Sequence, residues 1–127
     1  MARLFGNAIG KQGQRSYTRL RLGIPAMLVL PHEHRQCVID DVSVSGARVR
    51  SDGPIRCDLS AELRFDRHRL FCTVTWSRGN QAGLSFADYL EQGDMQRLLW
   101  IVDNREQWEQ QRQSLGARSW AAGKQRE

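Results

Sequence analysis

The chain has 127 residues, 40% of them hydrophobic, and a formal net charge of +5. That length suits one domain built on a single core, and that apolar fraction argues against a wholly disordered chain. Of the 19 basic residues 17 are Arg; Arg-rich overall composition accounts for most of this, so only clustered arginines carry weight as bidentate donors.

The three cysteines, Cys37, Cys57 and Cys72, lie far apart with no C-x-x-C pair. An odd number without metal-like spacing speaks against a disulfide framework and against zinc. The opening "MARLFGNAIGKQGQ" has no sustained apolar run of the signal-peptide kind, and no eighteen consecutive apolar residues occur. A cytoplasmic location without membrane insertion is the expectation.

Residues 1–13, with three Gly and several polar residues, are expected to form a flexible N-terminal segment. The basic stretch that follows leads into "IPAMLVL", which reads as a strand opened by Pro25. "RQCVIDDVSVSGARVRS" alternates, with Val38, Val42 and Val44 on one parity and Cys37, Ile39, Asp41 and Ser43 on the other. By that count Asp41 and Ser43 share a face and Asp40 points away from them. Gly46 breaks the run as a bulge or tight corner would. "SDGPI" is a turn by composition, with Asp and Pro as its turn formers. "LSAELRF" and "HRLFCTVTWSR" are two further strands, and "GNQ" turns the chain back into "AGLSFAD". The strand aromatics Phe65, Phe71, Trp76 and Phe86 are expected in the core. Six short strands with almost no helical period mean an antiparallel sheet, most cheaply closed as a small barrel.

After Gly93 the period changes. Met95, Leu98, Leu99 and Val102 fall on one helical face, with Asp94 as N-cap. That stripe should lie against the barrel, leaving Trp100 on the opposite side for solvent or a partner. Residues 114–127 have no period and are expected to be a disordered tail, apart from a contact by Trp120.

The catalytic signatures are missing: there is no nucleophile elbow, Walker loop or dinucleotide fingerprint. His32 and His34 flank Glu33 in a hairpin loop, but on a strand Glu33 points the other way and no third ligand is in sequence reach. The expectation is a protein without catalysis, metal or cofactor. The stretch "DDVSVSG" (40–46) contains Asp41-x-Ser43-x-x-Gly46, which by itself is a weak signal equally suited to a turn.

Other residues give that spacing its weight. Arg15-Ser-Tyr-Thr-Arg19 is an R-x-x-x-R pair 22 residues ahead of Asp41, counted from Arg19, and "VTWSRGNQAGLSF" supplies a Val-x-Trp strand, a turn and a Gly-Leu-x-Phe strand. In this order and spacing the chain resembles the PilZ domain family over residues 14–113. The resemblance implies a six-stranded antiparallel β-barrel with a C-terminal α-helix, and a receptor for the bacterial second messenger cyclic di-GMP. It further implies that Arg15 and Arg19 form a clamp over ligand resting on the barrel, with Asp41, Ser43 and Gly46 as the second motif; Arg48 lies near enough to Gly46 to reach a phosphate. Gln14 stands where such domains often carry a third arginine.

The residue chemistry agrees. Guanidinium forks match the guanine O6/N7 edge and phosphate oxygens, and a carboxylate can accept guanine N1–H and the exocyclic amine, which adenine cannot offer. The implied partners are cyclic di-GMP and an effector protein, with no nucleic-acid polymer, and the chain is expected to be a monomer or weak dimer. Two alternatives stand beside this reading: a PilZ-like protein-interaction module that binds no nucleotide, using Trp100 and the helix, and a small basic barrel for RNA or single-stranded DNA, which would need exposed aromatics among its basic residues.

Overall fold

Turn-forming residues cut the chain into short alternating segments, and each segment becomes a strand. The computed structural model describes residues 19–113. The strands are β1 (Leu20–Val29), β2 (His34–Val42), β3 (Gly46–Ser51), β4 (Ser60–Phe65), β5 (His68–Arg78) and β6 (Gln81–Phe86), followed by the helix α1 (Gln92–Asp103). After a turn at residue 104 a second helical stretch, α2 (105–113), runs to the end of the described residues. Residues 1–18 and 114–127, and with them the expected segments 1–13 and 114–127, Arg15 and Trp120, lie outside the described residues.

All strand pairs are antiparallel, and the order β1-β2-β3-β6-β5-β4 closes on itself through β4 and β1. The expected six-stranded barrel is therefore the fold. Ile24, Leu28, Ile39, Val49, Leu63 and Val74 fill its interior with no exposed surface. Truncating any one of them would cost about 2–5 kcal/mol in lost transfer and cavity terms.

β1 begins earlier than the apolar run suggested, at Leu20, and holds Pro25 in mid-strand rather than at its start. The ladder tolerates this because β4 pairs with β1 only over Met27–Val29, so no bond to β4 is needed at Pro25. Gly23, at φ +63°, sits in a register shift between Arg21 and Ile24 that bends the strand. The Gly79–Asn80 turn between β5 and β6 is the expected two-residue hairpin, with Gly79 at φ +59°.

Helix α1 differs from expectation in two respects. Its N-cap is Glu91, and Asp94 instead occupies N3 of a capping box in which its Oδ2 accepts the Glu91 N–H at 2.9 Å. Its buried residues are Leu98 and Ile101, whereas Leu99 and Val102 are exposed. Trp100, expected on the far side, packs partly buried against the core, with the Arg97 guanidinium 4.9 Å from its ring centroid. Residues 98–102 are all apolar, so helical spacing permits several stripes. Tertiary contacts choose among them: Asp66, in the β4–β5 turn, takes both Arg97 Nε (2.8 Å) and the Trp108 indole N–H (3.0 Å). Trp108, from α2, is buried to 2% exposure. Arg105 donates to the carbonyls of Leu22 (3.0 Å) and Gly23 (2.6 Å), tying α2 to β1.

Candidate ligand-binding site

The barrel interior is full, so a site must be built on its outside, and two irregularities in the strands build it. Regular alternation would send residues of one parity in and the other out. Between β2 and β3 the register runs Ile39 to Val49 and then Asp41 to Arg48, leaving Asp40 as an extra residue. Between β5 and β6 it runs Val74 to Leu84 and then Trp76 to Gly83, leaving Thr75 as an extra residue. Each bulge inverts the phase beyond it, as an inserted residue must.

On β2 the consequence is that Ile39 and Val42 are both fully buried, while the two consecutive aspartates leave on the outer side. Arg48 and Arg50, two apart on β3, each take one of them: Arg48 NH2 lies 2.8 Å from Asp41 Oδ2, and Arg50 Nε lies 2.8 Å from Asp40 Oδ1. Asp40 therefore faces the same side as Asp41, contrary to strict alternation. On β5 the consequence is that Trp76 is exposed (37%) rather than in the core. Phe71 is also outside, at 68%, because it alternates with the inward Cys72 and Val74; Phe65 and Phe86 are in the core as expected.

β3 and β6 form the floor between these bulges, and together they enclose an open pocket of about 480 Å³. Its lining brings together five residues that the sequence singled out, Arg19, Asp41, Ser43, Gly46 and Arg48, and adds Trp76. Arg19 is mostly exposed, and its NH1 reaches Asp41 Oδ1 at 2.9 Å. Asp41, only 10% exposed in its side chain, thus holds one guanidinium on each oxygen. Two cations against one carboxylate leave the pocket positive, which suits an anion. Arg48 Nε is buried and has no partner among the described residues, a donor whose desolvation a ligand acceptor would offset.

Ser43 and Gly46 reach the pocket differently from the alternation argument. Ser43 lies beyond the end of β2, in the turn to β3, and its Oγ accepts the Ser45 N–H at 3.3 Å. Gly46 is not among the positive-φ glycines. It is needed because a Cβ there would run into the Leu84 carbonyl oxygen of β6, so its bare Cα permits the close β3–β6 approach that makes the floor. Gly83 plays the same part for the wall: a Cβ would strike the Trp76 indole, which lies against it. Trp76 is the pocket residue that sequence reasoning put in the core. The signal was present in Gly83, an isolated strand glycine facing a Trp across a hairpin, since such a glycine marks a bulge or a close approach.

No group of three or more His, Cys, Asp or Glu side chains among the described residues is placed to hold a metal ion, and no helix there is long and apolar enough to cross a membrane.

Comparison with known proteins puts this architecture in a family. Among solved structures, one similar to the chain is that of the Bacillus subtilis inhibitor of motility, MotI/DgrA, at 20% sequence identity and a TM-score of 0.51. The alignment covers 73% of this chain and 51% of that one, so the chain spans about half the length of that protein, and at this identity the likeness is one of fold. Curated proteins give no significant match. The PilZ domain family matches residues 13–104, well over half of the chain and all six strands. The chain belongs to the PilZ domain family.

Proposed function

We propose that this domain is a receptor for cyclic di-GMP that carries the signal to an effector protein and catalyses no reaction. PilZ membership supports a binding module of this kind, and one local observation carries the reading: Arg19, Asp41, Arg48 and Trp76 converge on a single outer pocket whose Arg48 Nε lacks an acceptor. Each has a task that guanine nucleotide chemistry needs. An arginine fork meets the O6/N7 edge or a phosphate. The exposed indole offers a flat face for a purine. Asp41 accepts guanine N1–H and the exocyclic amine, and it does so by releasing Arg19, whose guanidinium is mostly exposed and whose pairing is worth about 1 kcal/mol. Arg19, together with Arg15, is then free to close over the ligand. Ser43 supports the turn beside it, and Gly46 keeps the floor flat.

Calorimetric titration with cyclic di-GMP, with cyclic di-AMP and GTP as controls, tests the reading. Arg19→Ala is expected to cost about 1–3 kcal/mol of affinity, about tenfold or more, with little change in stability. Absence of heat at micromolar protein would overturn the proposal and leave an interaction module that binds no nucleotide.

A further inference from the structure

A second, larger cavity of about 870 Å³ lies between the β4–β5 hairpin and the two helices, and it shares no lining residue with the nucleotide pocket. Five arginines line it: Arg64, Arg67, Arg69, Arg97 and Arg112. Glu62 pairs with Arg64 (2.7 Å) and Arg69 (3.3 Å), and Asp66 pairs with Arg97 (2.8 Å). Two carboxylates against five guanidiniums leave a strong positive excess, and Arg67 and Arg112 have no carboxylate partner among the described residues. Both are exposed.

His68 supplies an independent observation. Its side chain is 10% exposed, it stacks on Phe65 at 5.0 Å between centroids, and its Nε2 lies 3.3 Å from Asp94 Oδ1. Its Nδ1 is buried and unpartnered among the described residues, although the residue lines the cavity. In the neutral ring that carries its proton on Nε2, toward Asp94, Nδ1 is an acceptor. An acceptor on a residue that lines a basic groove is unsuited to a bare oxyanion and suited to an amide N–H. The walls fit the same occupant, since Pro25, Ala26 and Met27 of β1 line the groove with apolar surface open to a ligand. Charges spread over β4, β5, the hairpin and both helices match an extended ligand better than a compact one.

We propose that this groove docks an acidic peptide segment of a partner protein, its carboxylates on the arginines and its backbone N–H directed at His68. The inference does not depend on the nucleotide reading. Fluorescence anisotropy of a labelled peptide of alternating Glu, Gly and Phe, against the full chain with and without cyclic di-GMP, tests it. The peptide is expected to bind, and to weaken about tenfold or more when its Glu are replaced by Gln or when Arg67→Glu and Arg112→Glu are combined. These exposed positions lie outside the nucleotide pocket, so the double variant should keep the parent circular dichroism and cyclic di-GMP titration. No binding of the acidic peptide, or unchanged binding by a folded double variant, would overturn the proposal. So would preferential binding of a single-stranded oligonucleotide or of phosphatidylglycerol vesicles at the same face.

Discussion

Replacing Asp66 by Asn asks what holds the helices to the barrel, and the structure sets the size of the answer. Asp66 stands at φ 53° in the β4–β5 turn, a conformation that Asn tolerates at least as well, so the change removes a charge and leaves the backbone alone. Its carboxylate receives Arg97 through Nε (2.8 Å) and NH2 (2.9 Å) and the Trp108 indole N–H (3.0 Å). Burial by itself would raise this carboxyl, but the Arg97 and Trp108 donors outweigh it and bring its pKa from 3.8 to about 2. At about 1.4 kcal/mol per unit, that depression is equivalent to about 2 kcal/mol. Because the hairpin stands open to water, we discount this to about 1–2 kcal/mol. The folded-state pKa lies below the unfolded one, so the stabilisation is complete above pH 3.8 and is lost as pH falls toward about 2. Asp66→Asn is therefore expected to lower the thermal midpoint by about 5–10 °C at pH 7. The gap from wild type should shrink through the window between about pH 4 and about pH 2. Denaturant titration followed by far-ultraviolet circular dichroism at several pH values measures both. A variant as stable as wild type at pH 7, or a gap that persists undiminished at pH 2, would refute the role given to this carboxylate.

The two site glycines should respond differently to the same methyl group. In Gly46→Ala the Cβ meets the Leu84 backbone oxygen, which cannot swing aside, so denaturant titration should show a loss of about 2 kcal/mol or more. In Gly83→Ala it meets a movable indole; stability should fall by about 1 kcal/mol, while calorimetry should show cyclic di-GMP affinity reduced about tenfold by a displaced Trp76. The thiols should separate by burial. Burial, with Cys72 nearby, pushes Cys37 up to about 12, and burial lifts Cys72 to about 11, whereas Cys57 is exposed. A thiol-reactive chromophore should titrate one cysteine in the native protein and all three after unfolding.

The strand count, the turns and the closing of the sheet were legible because their causes are local: period-two alternation, and Gly, Pro, Asp and Asn at the corners. The arginine pair and the Asp41 motif were legible as a pattern, though only by resemblance. What could not be read was phase. Nothing in "CVIDDV" says which residue is the extra one, and the bulge at Asp40 is fixed by how β2 pairs with both neighbours. The same holds for Thr75, which decides whether Trp76 faces core or ligand. The helix face failed for a related reason. Five consecutive apolar residues satisfy several stripes, and the deciding grip of Asp66 on Arg97 spans 31 residues.

These two phase errors are one physical fact seen twice. A six-stranded barrel is too narrow to hold a ligand once its interior side chains are packed, so binding chemistry has to be placed on the outer face, where regular strands would offer only a shallow, evenly alternating surface. A bulge on β2 and another on β5 flank the β3–β6 pair, one turning Asp41 outward and the other turning Trp76 outward. Between them the floor is lowered by Gly46 and Gly83, the two positions where a side chain would meet its neighbour. A pocket with a charged wall and an aromatic wall thus arises without removing an atom from the core. Ile39, Val42, Val49 and Val74, which underlie it, stay fully buried. Arg19 stands just ahead of β1, and Arg105 of α2 binds the carbonyls of Leu22 and Gly23 a few residues farther on. Arg19 and α2 are thus both attached at the start of β1, within four residues of each other.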